Sequence, residues 1–119
     1  MAKEIANELG RLVLTEEVIA TIAGVAATEC YGIVGMASRR LKDGLAELLG
    51  RESLSKGVEV TLDGDRVLID LFIIVGYGVR IREVCHNVAE KVRYAVESMT
   101  GLPVSRVRIN VQGVRVSPH

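Results

Sequence analysis

The chain has 119 residues, enough for one domain with its own hydrophobic core and no need of disulfides or metal. Apolar residues make up 49% of it, which excludes a disordered chain, and no apolar run nears the roughly 20 residues that span a bilayer. Fifteen Lys plus Arg balance fifteen Asp plus Glu, so no net charge draws the protein to nucleic acid or anionic lipid.

Residues 1–8 read as a polar lead. They contain no stretch of signal-peptide character, which predicts a cytosolic protein. Leu9 to Leu14 reads as a short strand. Thr15 then suits a helix N-cap, and Glu16 and Glu17 suit the positive end of the helix dipole. Val18, Ile19, Ile22, Ala23, Ala26 and Cys30 recur at helical spacing, which predicts a helix from Glu16 to about Cys30. The glycines of Tyr31 to Ala37 end it. A second helix is expected from about Ser38 to Leu49, weakened by Gly44 and by the cations Arg39, Arg40 and Lys42 at its start.

Gly57 to Leu62 alternates as a strand should. Asp63-Gly64-Asp65 is a strong hairpin turn. Arg66 to Val75 is apolar on both faces, which marks the central strand of a sheet. Gly76-Tyr77-Gly78 turns the chain into the strongest helix, from about Arg80 to Met99, with Gly101 placed to cap it and Pro103 to stop it. The last strand runs from about Arg106 to Val116. Its apolar phase slips by one residue at Gly113, the mark of a β-bulge. The order β-α-α-β-β-α-β predicts a single α+β domain over residues 1–119. It has two layers: a small mixed sheet of about four strands, with two to three helices mainly on one face.

No motif carries catalysis. G-x-S-x-G, HExxH, CxxC and a Walker loop are all missing, and Cys85 and His86, adjacent on a helix, point about 100° apart. Two cysteines with His86 and His119 do not make a standard zinc site. No catalytic residue, metal or cofactor is therefore expected. Gly76 and Gly78, with Arg80 and Arg82, could cradle a phosphate at a helix start, but Ile81 stands where G-x-G-x-x-G needs its third glycine. A turn needing positive φ explains the same glycines.

Gly32-Ile33-Val34-Gly35 is a G-x-x-G segment between two expected helices, in the order of a KH-type RNA module. Arg39, Arg40 and Lys42 would add charge, yet the apolar Ile33 and Val34 suit phosphate poorly. Ile33, Val34, Met36 and Leu41 read equally as a patch covered by a partner or as residues tucked under the domain's own helix or paired in a short strand. Arg106, Arg108 and Arg115 could form a basic face, with a solvated sheet face as the default reading.

Taken together these segments resemble the alkaline shock protein family of Gram-positive bacteria, also called the envelope stress response or general stress protein family. The carrying residues are Gly10-Arg11-Leu12, Val18-Ile19, Cys30 to Met36, Gly57 to Val60, Ile69 to Gly78 and Val111 to Val116. The likeness covers about Leu9 to Val116 and is strongest to the small single-domain members. The resemblance implies a small cytosolic protein of envelope homeostasis that associates with itself, held at the membrane by a separate membrane-anchored partner. It also implies that no catalytic residue is to be carried over. An accessory role beside a dihydroxyacetone-kinase-like fatty-acid kinase is a further implication, and an RNA-binding module is the competing reading of the residues themselves.

Overall fold

A computed structural model describes residues 2–38 and 51–116. The chain opens with a hairpin, β1 (Ala2–Asn7) paired antiparallel to β2 (Gly10–Thr15). Helix α1 (Glu16–Thr28) follows directly. Then come β3 (Ile33–Met36), a 3₁₀ segment (Arg51–Gly57), β4 (Val58–Asp63), β5 (Arg66–Gly76), α2 (Ile81–Thr100) and β6 (Val104–Arg115). The α+β class is as expected. The expected helix from Ser38 to Leu49 falls almost wholly outside the described residues, and with it Arg39, Arg40, Leu41 and Lys42.

β5 organises the sheet. β6 runs parallel to it along its whole length, from Val67 opposite Val104 to Gly76 opposite Arg115. The other edge is shared. β4 pairs antiparallel with Arg66 to Leu71, and β3 takes Ile73 to Val75. The phase slip expected near Gly113 is present: Ile73 faces Val111 and Ile74 faces Gly113, so Gln112 is the extra residue of a bulge.

One face of the sheet makes the core. Val67, Ile69, Leu71, Ile73 and Val75 of β5 are fully buried with Ile19 and Ala23 of α1 and Val88, Val92 and Val96 of α2. α1 lies over β3 and β4, α2 over β6, and the two helices pack side by side. The opposite face of β5 carries Asp70, which is nearly buried. Arg108 answers it from the facing position on β6: its Nε donates to Asp70 Oδ1 at 2.8 Å and its Nη2 to Oδ2 at 3.4 Å. Arg106 adds a third contact at 4.0 Å. The pairing holds the Arg108 guanidinium above its ordinary pKa, chiefly through the hydrogen bond to Asp70.

The helix ends follow their sequences. Thr15 Oγ1 accepts from Val18 N at 3.2 Å, a side-chain N-cap. Thr15→Ala should therefore lower stability by about 1 kcal/mol in urea titrations, and a change under about 0.3 kcal/mol would deny the cap its role. At the end of α2, Gly101 takes a left-handed φ of 76° and its N–H reaches Glu97 O. Glu97 Oε2 and Thr100 Oγ1 then accept from Val104 N and Leu102 N, tying the helix to β6.

Residues 1–8 are not a lead: Ala2–Asn7 is a strand. Ile5 sits opposite Leu12 and packs against the core, and Lys3 pairs with Asp65 at the β4–β5 turn. That hydrogen bond, and the ammonium charge behind it, hold the Asp65 carboxyl below its ordinary pKa. For the segment Tyr31 to Ala37, read either as a covered patch or as residues tucked under the helix or paired in a short strand, the structure shows the short strand, an element missing from the expected order. β4 leaves the β5 edge unpaired beyond Leu71, and β3 pairs with Ile73 to Val75 there.

Candidate functional site: an exposed tyrosine end of the sheet

The two glycine-rich segments that the sequence offers as separate candidates meet at one end of the sheet. Gly76 N donates to Gly32 O at 2.9 Å, and Tyr77 N donates to Arg115 O at 2.8 Å. Gly32 has φ +91°, and a Cβ built there would lie 2.7 Å from Cγ2 of Val84 and 3.5 Å from Cγ1 of Val79. Only glycine lets the turn before β3 lie this close to α2. The result is a fixed junction of four elements: the starts of β3 and α2 and the ends of β5 and β6.

This junction displays apolar and aromatic groups that the fold does not use. Tyr31 is 85% exposed and Tyr77 75%. Val34, Val114 and Val116 are exposed around them. Beside Tyr31 a concavity of about 340 Å³ runs over Gly78, Val79 and Val84 to Arg80, Glu83 and Asn87. Arg80 and Glu83 form an exposed ion pair at 3.7 Å on its rim. Tyrosine and arginine around a small apolar depression are the groups that dominate protein–protein contacts.

The other expected sites fare differently. Met36 is fully buried, so it belongs to the core and not to a contact patch; its β3 position faces Ile73 on the helix side of the sheet. Ile33 is half-buried and packs on the core, while Val34 remains at the surface. Leu41 lies outside the described residues. Gly35 is a buried strand residue paired with Ile74, so Gly32 to Gly35 does not form the open loop between helices that a KH-type clamp requires. At Gly76 to Gly78 two of the N–H groups that would cradle a phosphate already donate to Gly32 and Arg115. Arg80 is paired, and Arg82 is exposed on the first turn of α2. Of the candidate basic face, Arg106 and Arg108 are both engaged by Asp70.

Tyr31 and Tyr77 do not stand out in the sequence. Their signal is faint but real: in a chain with 3% aromatics, two of three tyrosines border positive-φ glycines. Among the described residues no set of His, Cys, Asp and Glu gathers to hold a metal, and no helix is long and apolar enough to cross a membrane.

Cys30 and Cys85 are both free and half-buried against the core. Burial raises both thiol pKa values. At Cys30, Lys91 opposes the shift and Glu29 adds to it. Unfolded thiols ionise first, at about pH 8.5, so the unfolded state sheds protons that the folded state keeps and stability falls as pH rises from there. Cys30→Ala with Cys85→Ala should flatten that alkaline decline in urea titrations from about pH 8 to about pH 10. An unchanged slope would contradict this origin.

The class these observations define is a two-layer α+β domain whose sheet ends in an exposed aromatic junction. The chain belongs to the alkaline shock protein 23 family, described as having a cell envelope-related function, whose model matches residues 4–116. It is 51% identical to the uncharacterized protein YloU of Bacillus subtilis (strain 168), over 98% of each chain. It is 35% identical to the uncharacterized protein YqhY of the same organism, over 92% of this chain and 80% of that one. A stress response regulator gls24 homolog of Streptococcus pyogenes is 28% identical, over 89% of this chain and 59% of its own length. None of these relatives carries an enzyme's name. Among solved structures, the variant MamM-CTD H285A is similar in fold, with a TM-score of 0.50 and 13% identity over 87% of this chain and 100% of that one.

Proposed function

We propose that this chain is a non-enzymatic interaction protein, a scaffold for cell-envelope homeostasis under alkaline or general stress. The observation that supports it best is the exposed Tyr31–Tyr77 junction. Two tyrosines held on fixed turns lose little conformational entropy when a partner covers them, which is why such residues anchor interfaces. The family's cell envelope-related function and the stress-response name of a relative agree with this reading.

The partners proposed are a second copy of the chain and a membrane-anchored protein. The chain itself would work in the cytoplasm and reach the membrane through that partner. Cell fractionation tests this. The wild-type chain should be recovered in part with membranes, and Tyr31→Asp with Tyr77→Asp should shift it to the soluble fraction while leaving the thermal midpoint unchanged. Equal distribution of both proteins would contradict the proposal.

A further inference from the structure

One long strand of the main sheet is paired along one side only. β6 meets β5, and among the described residues no strand lies against its other edge. The register with β5 runs unbroken from Leu68 opposite Arg106 to Ile73 opposite Val111, and the bulge at Gln112 comes only after it. Arg106 to Val111 is thus a regular edge of ordinary strand length. Alternate residues of such an edge turn their N–H and C=O groups outward, a row that another extended backbone matches.

The two faces beside this edge differ. On the helix side Val107, Ile109 and Val111 pack on the core yet stay only half-buried. α2 turns Lys91, Tyr94, Ala95 and Ser98 toward α1. Helical spacing puts Cys85 and Ala89 on its other flank, and both are half-buried too. An apolar seam therefore follows the edge at every second residue of β6. On the opposite face Arg106 and Arg108 alternate with it, and both are exposed. They share the carboxylate of Asp70, Arg108 Nε at 2.8 Å and Arg106 Nη2 at 4.0 Å. Glu59 lies one strand further in, opposite Asp70 on β4. The outer margin of this face is therefore positive.

We propose that the free edge of β6 takes up an extended segment of a partner protein as an added strand, one in which apolar residues alternate with carboxylates. Its backbone completes the outward row of N–H and C=O groups. Its apolar side chains cover the open side of Val107, Ile109 and Val111, and its carboxylates meet Arg106 and Arg108. All three demands repeat every second residue, and that period belongs to a strand. The same charges argue against a second copy on this edge. Two β6 edges paired antiparallel about a two-fold axis keep like faces together, which sets Arg106 and Arg108 of one copy against those of the other. The inference goes beyond the tyrosine junction and does not rest on it.

Two synthetic nonapeptides test this on the full isotope-labelled chain, one alternating valine with glutamate and the other valine with lysine. NMR reads amide shifts and amide hydrogen exchange. The glutamate peptide should slow the exchange of alternate amides between Arg106 and Val111, and should bind at least about tenfold more tightly than its lysine twin. Arg106→Gln should cut that preference at least about threefold. Arg106 is exposed, so the variant should fold, as its thermal midpoint will show. Tyr31→Asp with Tyr77→Asp should bind the glutamate peptide as wild type does. No binding of either peptide at millimolar concentration would overturn the proposal, and equal binding of both would overturn the acidic partner. Binding lost in the tyrosine variant would place the peptide at the junction and overturn the edge. So would edge amides whose protection rises with protein concentration alone, since that marks a second copy there.

Discussion

Gly32→Ala is expected to destabilise the protein by about 3 kcal/mol. Two effects add. A φ of +91° costs a residue with a Cβ roughly 1–2 kcal/mol. The new Cβ would also sit 2.7 Å from Cγ2 of Val84, a side chain 4% exposed in α2, and overpacking of that kind costs about 1–3 kcal/mol. Gly64→Asn is the control. Its φ of +62° lies in the region asparagine tolerates, and a Cβ there meets nothing within 4 Å, so the loss should stay below about 1 kcal/mol. Urea titration of both variants checks the pair. A Gly32→Ala loss no larger than that of Gly64→Asn would mean that the junction between β3 and α2 is not close-packed.

The second large effect is on binding. Tyr31→Asp with Tyr77→Asp should weaken capture of the proposed membrane-anchored partner at least about tenfold, which is about 1.4 kcal/mol or more. The substitutions remove exposed rings and bury nothing, so folding should be untouched. A pull-down quantified against wild type reads the first statement and a thermal melt reads the second. Retained capture by a folded double variant would move the partner surface elsewhere on the domain.

Much of the fold is legible because its strongest elements carry local signals. The β4–β5 hairpin rests on Asp63-Gly64-Asp65 between two alternating runs. α2 shows an unbroken apolar stripe and a glycine at its end, and the bulge in β6 appears as a slip in the period-two pattern. The misses are elements defined by pairing. β1 has one large apolar residue, Ile5, and becomes a strand because β2 offers it an edge. β3 carries glycines in and beside a four-residue strand and no clean alternation. What makes it a strand is the stretch of β5 that β4 leaves unpaired. Met36 misleads for the same reason: an apolar residue beside glycines looks like surface until the strand turns it toward Ile73.

The site is legible in parts and not as a whole. Gly32 and Gly76 each stand out, one as a clamp and one as a cradle. The backbone hydrogen bond between them joins two distant stretches of chain into one turn pair and occupies the Gly76 N–H that a phosphate cradle would need. What the junction offers outward is not its glycines but the neighbours they position, Tyr31 and Tyr77. Distance along the chain hides that arrangement, and only the pairing of β3 and β6 on either side of β5 brings it together.

The tyrosine junction is proposed as a contact surface in the living cell. A photo-crosslinking phenylalanine analogue placed singly at Tyr31, Tyr77 and, as a control on an exposed β4 position, Thr61 tests it most directly. Discrete protein adducts should form from the analogue at Tyr31 and Tyr77 under alkaline stress, and none from Thr61. No adduct at the two tyrosine positions, or the same diffuse pattern from all three, would contradict it.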